Sequence, residues 1–135
     1  MATYRIRQAA ELLGVSDDTV RRWAESGRLT TTTEGSRQVV DGVALARLAQ
    51  EIAASGDHPD PGPIVSASAR NRFVGLVTRV VRDTVMAQVE VQAGPHRVVS
   101  LMSREAADEL ALEPGVLAVA SVKSTNVVVE LPGKP

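Results

Sequence analysis

The spacing of apolar residues changes once along this chain. In the first 54 residues or so they recur at three- and four-residue intervals, as an amphipathic helix requires; from about residue 67 they alternate, as a half-buried strand requires. In the first stretch, residues 8–13 predict a short helix stopped by Gly14. Ser16 then stands as an N-cap, with Asp17 and Asp18 in the first turn, where negative charge suits the helix dipole. Val20, Trp23 and Ala24 fall at i, i+3 and i+4 and form the buried stripe of a second helix, which Gly27 ends. The opposite face of that helix carries Asp18, Arg21, Arg22 and Glu25. Residues 29–40, with threonines at 30–33, Gly35 and Val39-Val40, predict a β-hairpin. Asp41 can cap a third helix whose Leu45, Leu48, Ala49 and Ile52 share one face.

In the second stretch, residues 73–82, 84–92, 97–102, 116–123 and 125–131 predict five strands. In the second of these Val85, Ala87, Val89 and Val91 alternate with Met86, Gln88 and Glu90. Ser103 caps a short helix through Leu110, and Pro114-Gly115 turns the chain. Five short strands with one small helix suit an OB-like β-barrel. Between the two patterns, residues 55–63 hold three prolines, two glycines and two aspartates, which neither continue a helix nor enter a central strand. The fold class is therefore α+β in two domains: a helix-turn-helix with a hairpin over residues 1–54, a stiff linker over 55–66, and the barrel over 67–132.

Composition narrows the chemistry. With one Trp, one Tyr and one Phe in 135 residues, the cores must be built from Val, Leu, Ile and Ala, and Trp23 is assigned to the core rather than to base stacking. The absence of cysteine excludes disulfides, thiol catalysis and thiolate metal sites. His58 and His96 lie in separate loops and point to neither a metal site nor a catalytic base. The chain has no Gly-rich phosphate loop, nucleophile–base pair or paired carboxylates in a recognisable context, so no enzyme is expected. No run of residues resembles a signal peptide or a membrane span of roughly 18 apolar residues, so the expectation is a cytoplasmic protein without a membrane partner. Residues 1–56 carry seven Arg and seven Asp or Glu, so any contact with nucleic acid must come from local clustering of arginines rather than from net charge.

Two short helices joined through Leu13-Gly14-Val15-Ser16 form a helix-turn-helix, whose second helix would present Arg21 and Arg22 to guanine edges or phosphates in the major groove. On an arbitrary helix those arginines would be a solvated face; here the surrounding pattern favours DNA. The runs Tyr4-Arg5-Ile6, Ala9-Ala10-Glu11-Leu12-Leu13-Gly14-Val15-Ser16, Thr19-Val20-Arg21-Arg22-Trp23 and Gly27-Arg28-Leu29 resemble the winged helix-turn-helix of MerR-type and excisionase-type proteins over about the first 50 residues. The resemblance implies double-stranded DNA as partner, with Asp18, Arg21, Arg22, Arg28 and the hairpin residues Arg37 and Gln38 as candidate contacts. The chain departs from that family at Arg7, where a small or polar cap is usual, and at Ser36-Arg37-Gln38-Val39, where the wing usually carries a basic pair before an aromatic.

A tetrahedral dianion needs donors without compensating acceptors. The second half offers them at Ser68-Ala69-Arg70-Asn71, at Ser103 on a helix N-terminus, and at Lys123-Ser124-Thr125; spacing alone does not show that the three meet. Those runs, with Gly75, residues 84–89, residues 110–115 and Val122, follow an order that resembles a molbindin, the Mop or TOBE-type domain, across residues 67–132. The resemblance implies molybdate or tungstate as ligand, bound between subunits of a homo-oligomer, at least a dimer and up to a hexamer. It implies that Ser68, Arg70, Lys123 and Ser124 hold the anion, with Asn71 and the Val122 amide beside them and Ser103 approaching from a neighbouring chain. Taken without the resemblance, Ser103 reads equally well as a plain helix cap, and Arg70 and Lys123 as surface charges. The function expected is a molybdate- or tungstate-responsive transcriptional regulator. Two other readings stand beside it: an anion-storage protein whose helix-turn-helix no longer reads DNA, and an architectural DNA binder indifferent to anions.

Overall fold

The computed structural model of the chain describes residues 2–56, 61–62 and 68–133. They fall into two compact units divided after residue 57. Most of the expected linker, including His58, lies outside the described residues.

In the first unit, β1 (Thr3–Arg5) leads directly into α1 (Ile6–Leu13). The helix begins two residues earlier than the apolar spacing predicts, because the Gln8 side chain accepts the Arg5 N–H at 3.0 Å and supplies the cap. Gly14, at φ 70° and ψ 33°, takes the left-handed conformation that lets its own N–H reach the Glu11 carbonyl and the Val15 N–H reach that of Ala10. The chain is thereby redirected into α2 (Asp17–Glu25), where Ser16 Oγ accepts the Thr19 N–H at 3.2 Å. The hairpin follows as β2 (Thr31–Glu34) and β3 (Arg37–Asp41), and Asp41 caps α3 (Gly42–Ser55) by accepting the Ala44 N–H at 3.0 Å. The unforeseen β1 pairs with β3, so the hairpin belongs to a three-stranded antiparallel sheet ordered β1-β3-β2.

Ala9, Ala10, Val20, Leu29, Val40, Leu45 and Leu48 form one core, with Trp23 and Ile52 packed against its rim. Ala49, assigned by spacing to the buried face of α3, is exposed. Leu45 and Leu48, four residues and one residue before it, already fill the available contact.

In the second unit β4 (Asn71–Arg82), β5 (Met86–Ala93), β6 (His96–Ser103) and β7 (Leu117–Val122) form a curled antiparallel sheet ordered β6-β5-β4-β7, and α4 (Arg104–Glu109) joins β6 to β7. The curl has local causes. The register between β4 and β5 shifts between Val77 and Arg79, a bulge that bends β4. At Gly75 a Cβ would stand 2.3 Å from the Gln92 carbonyl oxygen, so only glycine permits the close approach of the two strands. Arg82 ties the end of β4 to the helical side: Nε donates to Asp108 at 3.0 Å, and Nη2 to the Leu112 carbonyl at 2.9 Å and to Glu113 at 3.1 Å.

Three expectations need correction. Val85 is not a strand residue: Asp83 Oδ1 accepts the N–H groups of Val85 and Met86 at 2.8 and 2.7 Å, forming a tight turn, so β5 starts at Met86. Glu90, placed by alternation on the polar face, is 8% exposed. Arg97 on β6 hydrogen-bonds its carboxylate and holds its pKa below the ordinary value, which makes the burial tolerable. Finally, residues 125–131 form no strand. After β7 a single 3-10 turn (Ser124–Asn126) is followed by chain that pairs with nothing among the described residues, with Val128, Val129 and Leu131 at 81%, 85% and 91% exposure. The sheet therefore has four strands rather than five and stays open between its edge strands β6 and β7.

Candidate functional site

In the first unit α2 is held by its caps so that Asp18, Arg21 and Arg22 face solvent. Arg21 pairs with Asp18 at 3.2 Å and Arg22 donates to Thr19 Oγ1 at 3.2 Å, both within the helix. Such exposed pairs are weak, and a phosphate or a base edge competes with them readily. Arg28 is exposed and stacks its guanidinium on the Trp23 ring, 4.8 Å from the ring centroid. At the hairpin, Gln38 donates to Thr31 Oγ1 at 3.0 Å, while Arg37 sits opposite Glu34 in the register. A hollow lined by Thr3, Arg5, Gln8, Glu34 and Arg37 joins the hairpin to the start of α1. Arg5 was missed as a candidate because the pairing of β1 with β3, which places it there, depends on residues some 35 positions apart.

In the second unit strand pairing decides which donors meet. Asn71 opposes Val122 across the β4–β7 ladder, and Asn71 Nδ2 donates to the Val122 carbonyl at 3.0 Å. This bond brings the exposed Ser68 and Arg70, just before β4, to the same sheet end as the exposed Lys123 and Ser124, just after β7. The Asn71 side chain acts there as the clasp between the two strands. Arg72, opposite Ser121, adds a cation that inspection of motifs passed over. One signal in the sequence could have found it: residues 61–82 and 114–129 contain no Asp or Glu, so this sheet end is cationic without compensation.

Ser103 is elsewhere. It closes β6, the opposite edge strand, paired with Met86, and its Oγ accepts the Ala106 N–H at 3.1 Å as the cap of α4. The hollow beside it is lined by Glu105, Asp108 and Glu109 along with Arg104, a balance that repels a dianion. Within one copy, Ser103 is a helix cap. Among the described residues no group of three His, Cys, Asp or Glu side chains could hold a metal ion, and no helix is long and apolar enough to cross a membrane.

A helix-turn-helix with two exposed arginines on its second helix, and an OB-like sheet with an acid-free cationic end, define a two-unit binding protein. Comparison with known proteins agrees for each half. Residues 3–52 match the helix-turn-helix domain and residues 67–129 match the TOBE domain. The chain is 35% identical over 66 residues to molybdenum-pterin-binding protein 2 of Clostridium pasteurianum, covering 48% of this chain and 97% of that protein. The chain belongs to the TOBE-domain family. It is also 33% identical over 76 residues to the transcriptional repressor DcmR of Methylorubrum extorquens, 53% of this chain but only 29% of that repressor's length. Among solved structures, a molybdate-binding protein from Sporomusa ovata aligns over 50% of this chain and all of its own, at 28% identity and a TM-score of 0.48.

Proposed function

We propose that this chain is a cytoplasmic transcriptional regulator that responds to molybdate or tungstate. The observation that carries the reading is the β4–β7 ladder, which gathers Ser68, Arg70, Lys123 and Ser124 at an acid-free sheet end in a chain that also holds a helix-turn-helix. Hydroxyls, a guanidinium, an ammonium and the Val122 amide supply donors to a tetrahedral dianion without acceptors that would oppose it. Family likeness adds Ser103 from a neighbouring copy, hence an oligomer of at least two chains and up to six. The anion is a ligand here, not a substrate.

The first unit reads double-stranded DNA in the manner of MerR-type and excisionase-type domains. Arg21 and Arg22 enter the major groove once released from Asp18 and Thr19, while Arg37 and Gln38 touch the backbone from the hairpin. Bound anion favours one arrangement of the subunits, and linkage requires DNA to change anion affinity by the same factor; a coupling of about 1–3 kcal/mol makes a useful switch.

Isothermal titration with molybdate, tungstate and sulfate tests the reading. Wild type binds the first two tightly and sulfate weakly, and Arg70→Ala/Lys123→Ala loses binding. A folded wild type that binds neither molybdate nor tungstate refutes it. Storage is the second reading, favoured by the charge-neutral first unit and by the internal pairing of Arg21 and Arg22. It is selected by tight anion binding together with no salt-dependent binding to duplex DNA.

A further inference from the structure

The arginines of the first unit are not all committed to neighbours. Arg7 pairs with Glu11 at 3.6 Å and Arg21 with Asp18 at 3.2 Å, Arg22 donates to Thr19 Oγ1, and Arg28 lies on Trp23. Arg5, Arg37 and Arg47 enter no ion pair among the described residues. Two of these three, Arg5 and Arg37, line one hollow of about 330 Å³ with Thr3, Gln8, Glu34 and Val39. Both are exposed.

Strand register brings this pair together. Arg5 stands opposite Val39, and Arg37 lies two residues from Val39 on the same strand, so both arginines leave the same face of the sheet. Gln38 leaves the other face, the one on which Val40 is buried, and its amide donates to Thr31 Oγ1 at 3.0 Å. The carboxylate at the hollow belongs to Glu34. Although Glu34 faces Arg37 in the register, it accepts the Thr3 hydroxyl at 3.2 Å and bonds neither arginine. Two guanidiniums against one carboxylate leave a single positive charge in excess, which suits a phosphodiester monoanion better than a dianion.

We propose that Arg5 and Arg37 grip one and the same phosphate of a DNA strand at this hollow, so that β1 and the hairpin act as a single clip on the backbone. A guanidinium is a planar fork of donors, and two of them converging on one phosphate fix the strand in place as well as neutralise it. Such a contact carries no sequence information; it sets the register in which Arg21 and Arg22 meet the bases. Glu34, beside the bound phosphate, opposes it and moderates the grip. The clip rests on the DNA reading of the first unit and adds Arg5 to its contacts.

A phosphate contact can be measured without knowing the operator, so two short duplexes of unrelated sequence serve as probes. Binding of the full-length protein is followed by fluorescence anisotropy as salt is raised. Wild-type affinity should fall with salt, and Arg5→Ala/Arg37→Ala should flatten the log–log slope by about 0.9, the amount for one phosphate, equally on both duplexes. Arg5→Ala and Arg37→Ala should each weaken binding, and the double variant should lose less than the two losses combined, because the side chains share a target. Arg5→Lys keeps the charge and should keep the wild-type slope; Gln38→Ala removes no charge and should keep it too. Glu34→Gln should bind more tightly. Wild-type affinity and slope in either single alanine variant overturn the clip and leave the DNA reading standing. Flattening by about twice 0.9 in the double variant also overturns it, since that marks two separate phosphates. A wild type without salt-dependent binding to either duplex refutes the DNA reading and the clip together.

Discussion

The two units solve the same packing problem with different completeness. In the first, Ala9, Val20 and Val40 are fully buried, Leu29 is 1% exposed, and among the described residues only Leu12 and Val43 of the large apolar side chains stand in water. In the second, Val77 and Val89 are 2% exposed, yet among the described residues thirteen large apolar side chains are exposed, four of them in the segment after β7. Since both halves draw on the same aliphatic residues, the contrast arises from topology. Three helices and a small sheet close around one centre, whereas a curled four-stranded sheet cannot close without another strand. The closed half carries the helix-turn-helix, and the open half carries the candidate anion donors.

The largest effect that probes this contrast is Leu29→Ala. It removes a fully packed side chain from the closed core and should cost about 3 kcal/mol. In chemical unfolding the loss should not depend on protein concentration, whereas the transition of the second unit should if the proposed oligomer forms through it, because association stabilises only the unit that takes part in it. A concentration-independent second transition would erase the distinction between the halves.

Next in size is Arg82→Ala, which frees α4 from β4 by removing three hydrogen bonds. With Arg82 partly exposed, solvent screening limits the expected loss to about 1–2 kcal/mol, confined to the second unit. Hydrogen exchange should show α4 opening while the sheet stays protected.

The smallest effect concerns acid. The N–H groups of Met86 and Val85 hold the Asp83 carboxyl below its ordinary pKa. A group depressed on folding contributes its full stability above the unfolded value of about 4 and loses it as pH falls through the folded one. The melting temperature of the second unit should therefore fall more steeply below about pH 4 in wild type than in Asp83→Asn, which keeps an acceptor but no titrating charge. Parallel curves would remove Asp83 from the acid response.

Legibility followed range. Gly14, Ser16 and Asp41 announced the helix boundaries because each acts on backbone groups within four residues. Alternation located four strands for the same reason. It misplaced Glu90, because the partner that makes its burial tolerable, Arg97, lies on the next strand. The candidate anion donors were visible as motifs, but their meeting depends on Asn71 and Val122, 51 positions apart in the chain.

From the sequence alone came the two rhythms, the break between them, the caps and turns, and the inventory of donors, all set by near-neighbour sterics and hydrogen bonds. The tertiary structure decided the pairing of β1 with β3, the gathering of Arg70 and Lys123 at one end of a sheet, the separation of Ser103 on the other edge strand, and the release of residues 127–131 from their own unit. Each of these depends on which distant surfaces satisfy one another's hydrogen bonds and apolar faces, a balance that no local pattern contains.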